Sequence, residues 1–307
     1  MSSLSAARYG KDNVRVLKVW RDPNDRNHQA VIELTVRVLL EGDIEESYTK
    51  ADNSPVVPTD TVKNTVYILA KQNNVWPIEQ FGATLVNHFI SRYPHIHAAH
   101  ADIVQHRWTR FDVQGKPHPH SFMRDGAETR LVSVSKKDDG SPFQITSGIK
   151  ELTVLKSTGS MFHGYHMCEY TTLKPTWDRI LSTDVDSSWI WSPSAVSTYG
   201  QVKKLAADGV FDGAWEGARN TTLETFALDN SASVQATMYN MCQTILKEFK
   251  HISDVSYSLP NKHYFEIDLS WHKGLQNTGK DAEVYAPQSN PNGLIKCTVS
   301  RNQAAKL

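Results

Sequence analysis

Cysteine is scarce. The 307 residues hold only Cys168, Cys242 and Cys297, far apart and odd in number. No C-x-x-C pair exists, so neither a disulfide framework nor a zinc ribbon is expected, and a reducing interior compartment is the simplest setting. Glycine (16) and proline (13) together make up under a tenth of the chain, far below the roughly 25–30% of low-complexity disordered chains. Neither charge sign is in excess: 33 Lys and Arg face 33 Asp and Glu. That balance argues against a nucleic-acid binder or an anionic-membrane binder. No apolar run approaches the ~18 residues of a membrane span. The segment Met1-Ser2-Ser3-Leu4-Ser5-Ala6-Ala7-Arg8 has no apolar stretch of the secretory kind. Also missing are a G-x-x-x-x-G-K-[ST] loop, a G-x-G-x-x-G after a strand, a G-x-S-x-G elbow and any HExxH spacing, so nucleotide cofactors and nucleophilic serine chemistry are not expected.

What is present is periodicity. Ile32, Leu34, Val36, Val38 and Leu40 alternate with polar residues, predicting a half-buried strand. Val14–Trp20 is its expected partner across the turn Asp22-Pro23-Asn24-Asp25. The period then changes. Val62, Thr65, Val66, Leu69 and Ala70 recur at helical spacing, as do Ile78, Phe81, Leu85 and Phe89 behind Pro77. Strands are expected again at Ile103–Phe111 and Ser121–Val134. The second half repeats this order. Strands are predicted at Leu152–Lys156 and Glu169–Leu173, and a short helix around Trp177, Ile180 and Leu181. Helical stripes follow at Trp215, Ala218, Thr222, Phe226 and at Val234, Met238, Met241, Ile245, Phe249, then strands at Val255–Leu259 and His263–Trp271. Two β-β-α-α-β-β runs predict an α+β fold of antiparallel sheets with helices on one face. The other face needs water or another subunit, and closure into a barrel would remove the sheet edges.

Several residues could carry chemistry. His95, His97, His100, His106, His118 and His120 form a histidine-rich stretch, with His118 and His120 on one strand face as metal ligands must be, although no cysteine lies among them. Lys11, just before the first strand, could act as a base if partly desolvated. Thr59 opens the first long helix, where it could be an N-cap or lie beside helix N–H groups that attract an anion. His263 falls on the apolar side of its strand, and Asn261 could share that side. Arg179 lies off the stripe of its short helix, which reads most simply as a surface ion pair. Gln235 follows Val234 in the first turn of the last long helix, capped by Ser233 or Ser231, and its amide can read a heterocycle edge.

The residues also resemble a known family. Tyr48-Thr49-Lys50-Ala51-Asp52-Asn53-Ser54, Pro58-Thr59-Asp60-Thr61-Val62-Lys63-Asn64-Thr65, Asn261-Lys262-His263-Tyr264-Phe265 and Gln276-Asn277-Thr278-Gly279-Lys280 are similar to urate oxidase (uricase) motifs. So are His106-Arg107-Trp108, Leu155-Lys156-Ser157-Thr158 and Ser231-Ala232-Ser233-Val234-Gln235-Ala236-Thr237-Met238-Tyr239. The likeness runs from about Ala7 almost to the end. It implies two tandem tunnelling-fold halves, residues 1–140 and 141–300, followed by a tail at 301–307. It implies a homotetramer whose sheets close a barrel and whose active sites are shared between subunits. It implies cofactor-free oxidation of urate by O2 to 5-hydroxyisourate and H2O2. Lys11, Thr59 and His263 match the family's proton relay. Arg179 and Gln235 match its clamp on the purine, Phe162 its stacking ring, and Asn261 the holder of water or O2. The backbone N–H groups of Asp60 and Val234 match further urate contacts. The ending Ala305-Lys306-Leu307 differs by one small residue from the S-K-L address, so a peroxisome and its import receptor are expected.

Two other readings start from the same residues. One is a metal-dependent purine- or pterin-converting enzyme of the same fold using His97, His100, His106, His118 and His120. The other is a purine-binding protein without catalysis.

Overall fold

A computed structural model describes residues 2–301. The Ala305-Lys306-Leu307 ending lies outside the described residues. The strands are β1 (Tyr9–Arg21), β2 (Gln29–Gly42), β3 (Ile96–His106), β4 (Thr109–Val113), β5 (Lys116–Met123), β6 (Thr129–Lys137), β7 (Gln144–Lys156), β8 (Leu181–Trp191), β9 (Ile252–Glu266) and β10 (Tyr285–Ser300). The helices are α1 (Glu45–Thr49), α2 (Thr59–Gln72), α3 (Ile78–Arg92), α4 (Tyr199–Ala207), α5 (Val210–Leu228) and α6 (Val234–Glu248). Eight strands make one antiparallel sheet in the order β1-β2-β3-β6-β7-β8-β9-β10, while β4 and β5 form a separate hairpin. The architecture is α+β of the tunnelling type, with the long helices packed on one sheet face. No helix among the described residues is long and apolar enough to cross a membrane.

The alternating pattern explains the layering. On β2 the residues Ile32, Leu34, Val36, Val38 and Leu40 are all buried toward the helices. The buried face of α2 is Val62, Thr65, Val66, Leu69 and Ala70. Helix α3 sits so close to β6 that a Cβ on Gly82 would lie 2.7 Å from Val134 Cγ2, so glycine is what allows the approach. One polar cluster crosses this core. Glu79 of α3, with no exposed surface, accepts from Arg130 of β6 at 2.8 Å and from Ser147 of β7 at 2.7 Å. Arg130 also reaches Asp212 of α5 at 2.6 Å, and Ser147 accepts from Trp191 Nε1 at 2.9 Å. Each buried charge therefore has an opposite partner, as burial requires.

The helix-free face is different. Leu17, Leu155, Ile190 and Leu294 each neighbour a core-facing residue on their strands, so they point away from the helices, and they are 44–62% exposed.

Five sequence expectations are corrected. Residues 169–173 form turn and coil rather than a strand, with Tyr170 84% exposed. The strand in that region is β8. The segment around Trp177 is not helical, and Trp177 is exposed; Leu181 instead starts β8. The run Ile103–Phe111 spans two strands, β3 and β4, and Ser121–Val134 likewise spans the end of β5 and most of β6. Val255–Leu259 and His263 belong to one strand, β9, which stops at Glu266, so Ile267–Trp271 leaves the sheet.

Candidate active site

The first group of expected residues lies at the β1 edge of the sheet. Lys11 is paired with Val38 and precedes a bulge that ends at Val14, with Asn13 at φ 56°. A bulge re-aims the side chains beside it. The strand can pass this closely only through Gly10, where a Cβ would come within 1.9 Å of Val38 O. Helix α2 is tied to β1 at both ends. Tyr9 Oη accepts from the Val57 N–H at 2.8 Å, two residues before Thr59. Lys18 Nζ donates to Ala70 O at 2.7 Å and Asn73 O at 2.6 Å, satisfying carbonyls at the helix C-terminus. Burial raises the Tyr9 pKa and lowers that of Lys18.

Thr59 is not the N-cap. Pro58 holds that position, no side chain caps the helix, and Thr59 is its first residue. The Thr59 hydroxyl is thus not spent on capping. The first backbone bond of α2 runs from Val62 N to Pro58 O, leaving the N–H groups of Thr59, Asp60 and Thr61 at a helix start that favours anions. The Asp60 carboxylate turns back to Lys63 and Asn64, the latter at 2.9 Å. Its pKa is lowered first by the Lys63 hydrogen bond and also by the charge of Lys11, which puts Lys11 within the electrostatic reach of Asp60.

The second group gathers where β8, β9 and α6 meet. The loop after β7 is stitched to the entry of α6 by Met161 N to Ser231 O at 2.8 Å and Ser231 N to Gly159 O at 3.1 Å. Phe162 and Thr176 exchange two backbone bonds, at 2.8 and 2.9 Å. Asp178 then locks the loop, accepting from Gly159 N at 2.9 Å and Thr158 Oγ1 at 2.7 Å. The Thr158 bond is the chief reason its carboxyl pKa is lowered. Together these bonds bring the Arg179 guanidinium over the Phe162 ring, 5.2 Å from its centroid. Arg179 makes no surface ion pair among the described residues. It is half-buried, its Nε is buried with no partner, and desolvation lowers its pKa. A planar cation held beside an aromatic ring with unspent donors suits a flat anion.

Ser233 is the cap of α6, accepting from Ala236 N at 3.2 Å, while Ser231 bonds Thr237. Val234 is therefore the first helical residue and buried, and Gln235 beside it is exposed. Asn261 pairs with Thr183 of β8, and His263 with Gln288 of β10. Asn261 Oδ1 is buried without a partner. Lys262 between them is anchored to Asp184 at 2.7 Å, which Thr153 also reaches at 2.5 Å. His263 does not lie on a buried apolar face as expected: Phe265 is 53% and Ile267 36% exposed.

The structure therefore assembles two sets. Lys11, Thr59 and Asp60 are at one end of the sheet, and Phe162, Arg179, Val234, Gln235, Asn261 and His263 are toward the other. Six strand steps separate β1 from β9, or about 29 Å along the sheet at ~4.8 Å per step. Tyr9 and Asp178 were missed by sequence reasoning. The available signals were position alone: Tyr9 shares a strand face with Lys11, and Asp178 adjoins Arg179.

The histidines do not converge. His97 faces Asp43 at 3.0 Å through Nε2 and Asp138 at 2.7 Å through Nδ1, opposite sides of the ring that cannot meet on one ion. His100 bonds Glu41 at 2.6 Å and His106 bonds Thr35 at 2.7 Å. His118 and His120 pack edge to face at 4.6 Å. Among the described residues no three His, Cys, Asp or Glu side chains are arranged to hold a metal.

Known proteins resemble this arrangement over its whole length. The family model for uricase matches residues 7–135 and 145–296. The chain is 60% identical to the uricase of Emericella nidulans over 309 residues, covering all of both chains. It is 62% identical to the uricase of Aspergillus flavus over 302 residues, 98% of each. Among solved structures, uricase from Arthrobacter globiformis superimposes with a TM-score of 0.85 at 34% identity, over 99% of this chain and 96% of that one. Identity of this extent, joined to the tunnelling architecture, shows that the chain belongs to the uricase family.

Proposed function

We propose that the chain oxidises urate with O2 and water to 5-hydroxyisourate and H2O2, without a metal or organic cofactor. Its membership of the uricase family makes it an oxidoreductase of the urate oxidase class. The observation that carries the finer reading is the division of the candidate residues between two distant parts of one sheet. Lys11 and Thr59 cannot exchange a proton with His263 across about 29 Å of sheet. They can do so when the β1 edge of one subunit meets the β9 region of another. A homotetramer whose sheets close a barrel would supply that meeting and cover Leu17, Leu155, Ile190 and Leu294.

In the assembled site Arg179 and Gln235 hold opposite edges of the purine, and Phe162 stacks on its face. The N–H groups of Asp60 and Val234, both at helix starts, bind its oxygen and nitrogen acceptors. Lys11, when neutral, takes a proton from urate through the Thr59 hydroxyl, which capping does not occupy, and His263 completes the relay. Asn261 holds the water or O2 above the ring, its unpartnered Oδ1 free to accept from the water. Doubly deprotonated urate is electron-rich enough to reduce O2 directly. A peroxisomal location, reached through an import receptor that reads Ala305-Lys306-Leu307, suits an enzyme releasing H2O2. The separated histidines do not favour a metal-dependent reaction at His97–His120, and the Lys11, Thr59, His263 and Asn261 set speaks against a silent binding protein, since binding alone needs no base.

The test is O2 uptake by the EDTA-treated protein given urate, with H2O2 measured in parallel. Uptake matched by H2O2 is expected. Uptake that returns only when a metal is added, or urate binding with no uptake, would overturn the proposal.

A further inference from the structure

Two of the three thiols face each other. Cys242 of α6 and Cys297 of β10 have their sulfurs 3.8 Å apart, and both are free. Cys242 is fully buried on the core stripe of α6, its thiol directed to Val255 O at 3.6 Å. Burial, reinforced by Cys297, raises its pKa and keeps it a thiol. Cys297 lies between Ile295 and Val299 on the helix-facing side of β10 and is only half-buried. One sulfur is thus reachable by a small oxidant, and the other is sheltered directly behind it. This is the arrangement of an attacking and a resolving cysteine.

We propose that Cys297 and Cys242 are a peroxide-oxidised modification site that closes a disulfide between β10 and α6. The Cys297 thiolate attacks one oxygen of H2O2 and the O–O bond breaks, leaving a sulfenic acid and hydroxide. Cys242 sulfur then displaces the sulfenic oxygen, which leaves as water. The two sulfurs lose two electrons, the peroxide gains two, and two thiols plus H2O2 become one disulfide plus two waters. That peroxide is this protein's own product rests on the proposed function; the geometry of the pair does not. Closing 3.8 Å to a bond of ~2.05 Å takes side-chain rotation on two elements already packed together. The link would hold the outer strand β10, which pairs with the His263 strand, to the helix whose first turn carries Gln235.

The test is thiol alkylation with peptide mapping on the assembled, full-length enzyme, treated either with H2O2 or with urate and O2. The expected result is a linked Cys242–Cys297 peptide pair, reversed by dithiothreitol. It should come with a rise of several degrees in melting midpoint that is absent in Cys297→Ser. Cys297→Ser is a mild change at a half-exposed site, so the test does not depend on Cys242→Ala folding. Sulfinic acid at Cys297 with Cys242 still alkylatable, or oxidation confined to Cys168, would overturn the pairing, as would no link under either treatment. A link formed by added H2O2 but not by urate would uphold the pair and count against the peroxide-yielding reaction.

Discussion

A site divided between subunits can be tested by complementation. In Lys11→Met the relay loses its base, and in His263→Ala its far end, so each homogeneous assembly should retain about 1% or less of wild-type turnover, the size of an acid–base contribution. The lesions lie six strand steps apart on one sheet. If each site takes Lys11 from one chain and His263 from another, co-expressing the two variants equally rebuilds undamaged sites. The β1 edge must come from a His263→Ala chain, and the β9 region from a Lys11→Met chain. Random assembly satisfies both at about a quarter of the sites. Mixed assemblies isolated through two affinity tags, from which the inactive homogeneous tetramers are removed, should therefore turn over urate at about 30% of the wild-type rate, roughly 30-fold above either parent. Loss of urate absorbance measures this directly. If the site lay within one chain, every site would carry one lesion and the mixture would match its parents; that result would refute the shared site.

Three other outcomes follow from particular contacts. Tyr9 and Asp178 support opposite halves of the site, so their variants should separate: Tyr9→Phe, which leaves the Val57 N–H unpaired, should lower kcat about tenfold with KM unchanged. Asp178→Ala, which frees the Phe162 loop, should instead raise KM about tenfold, and steady-state kinetics showing the reverse split would break both assignments. Glu79→Ala removes the carboxylate facing buried Arg130 and should cost about 3–5 kcal/mol of stability, read in denaturant melts. His97 has its pKa raised by the hydrogen bonds it donates to Asp138 and then to Asp43. Its charged form is therefore favoured in the fold, and its contribution is complete below the ordinary value of ~6.5 and lost as pH climbs through the raised one. The melting-midpoint gap between wild type and His97→Gln should be widest near pH 6 or below and close at alkaline pH, whereas a gap that widens with pH would contradict the assignment.

Fold was legible wherever one face of an element is buried and the other is wet. Ile32 to Leu40 and Val62 to Ala70 show this, because every apolar position in those patterns meets the core. Strand β8 was missed because polar residues occupy core positions: Thr183 and Ser187 are buried in the same alternation as Leu181, Val185, Trp189 and Trp191. Strand β10 was missed because Pro287, Pro291 and Gly293 interrupt it, and only Ile295, Cys297 and Val299 keep the period. The opposite error occurred at His263–Trp271 and Glu169–Leu173. There apolar residues are periodic or β-prone, but pairing with β10 ends at Glu266, Ile267–Trp271 and Glu169–Leu173 have no strand partner, and Trp271 and Tyr170 stay exposed. The candidate residues could be found from motifs, but motifs carry no distances. Nothing in the spacing of Lys11, Thr59 and His263 places the first two at one end of a sheet and the third toward the other.

The sequence misreadings and the divided site share a location. The segments whose apolar pattern goes unburied, residues 163–177 and 265–275, flank Phe162, Arg179 and His263. Arg179 Nε and Asn261 Oδ1, the unpartnered buried atoms of the second group, lie there too. A single chain tolerates scattered apolar exposure without consequence. Exposure concentrated around buried, unsatisfied polar atoms is different, because those atoms gain most from a ligand and the apolar rim gains most from a neighbour. On the proposed reading one contact answers both. The neighbour that covers Trp177 and Phe265 also brings Lys11 and Thr59, so substrate binding and subunit association would draw on the same surface. Residues that look poorly placed for stability in one chain would then be those best placed for catalysis in the assembly.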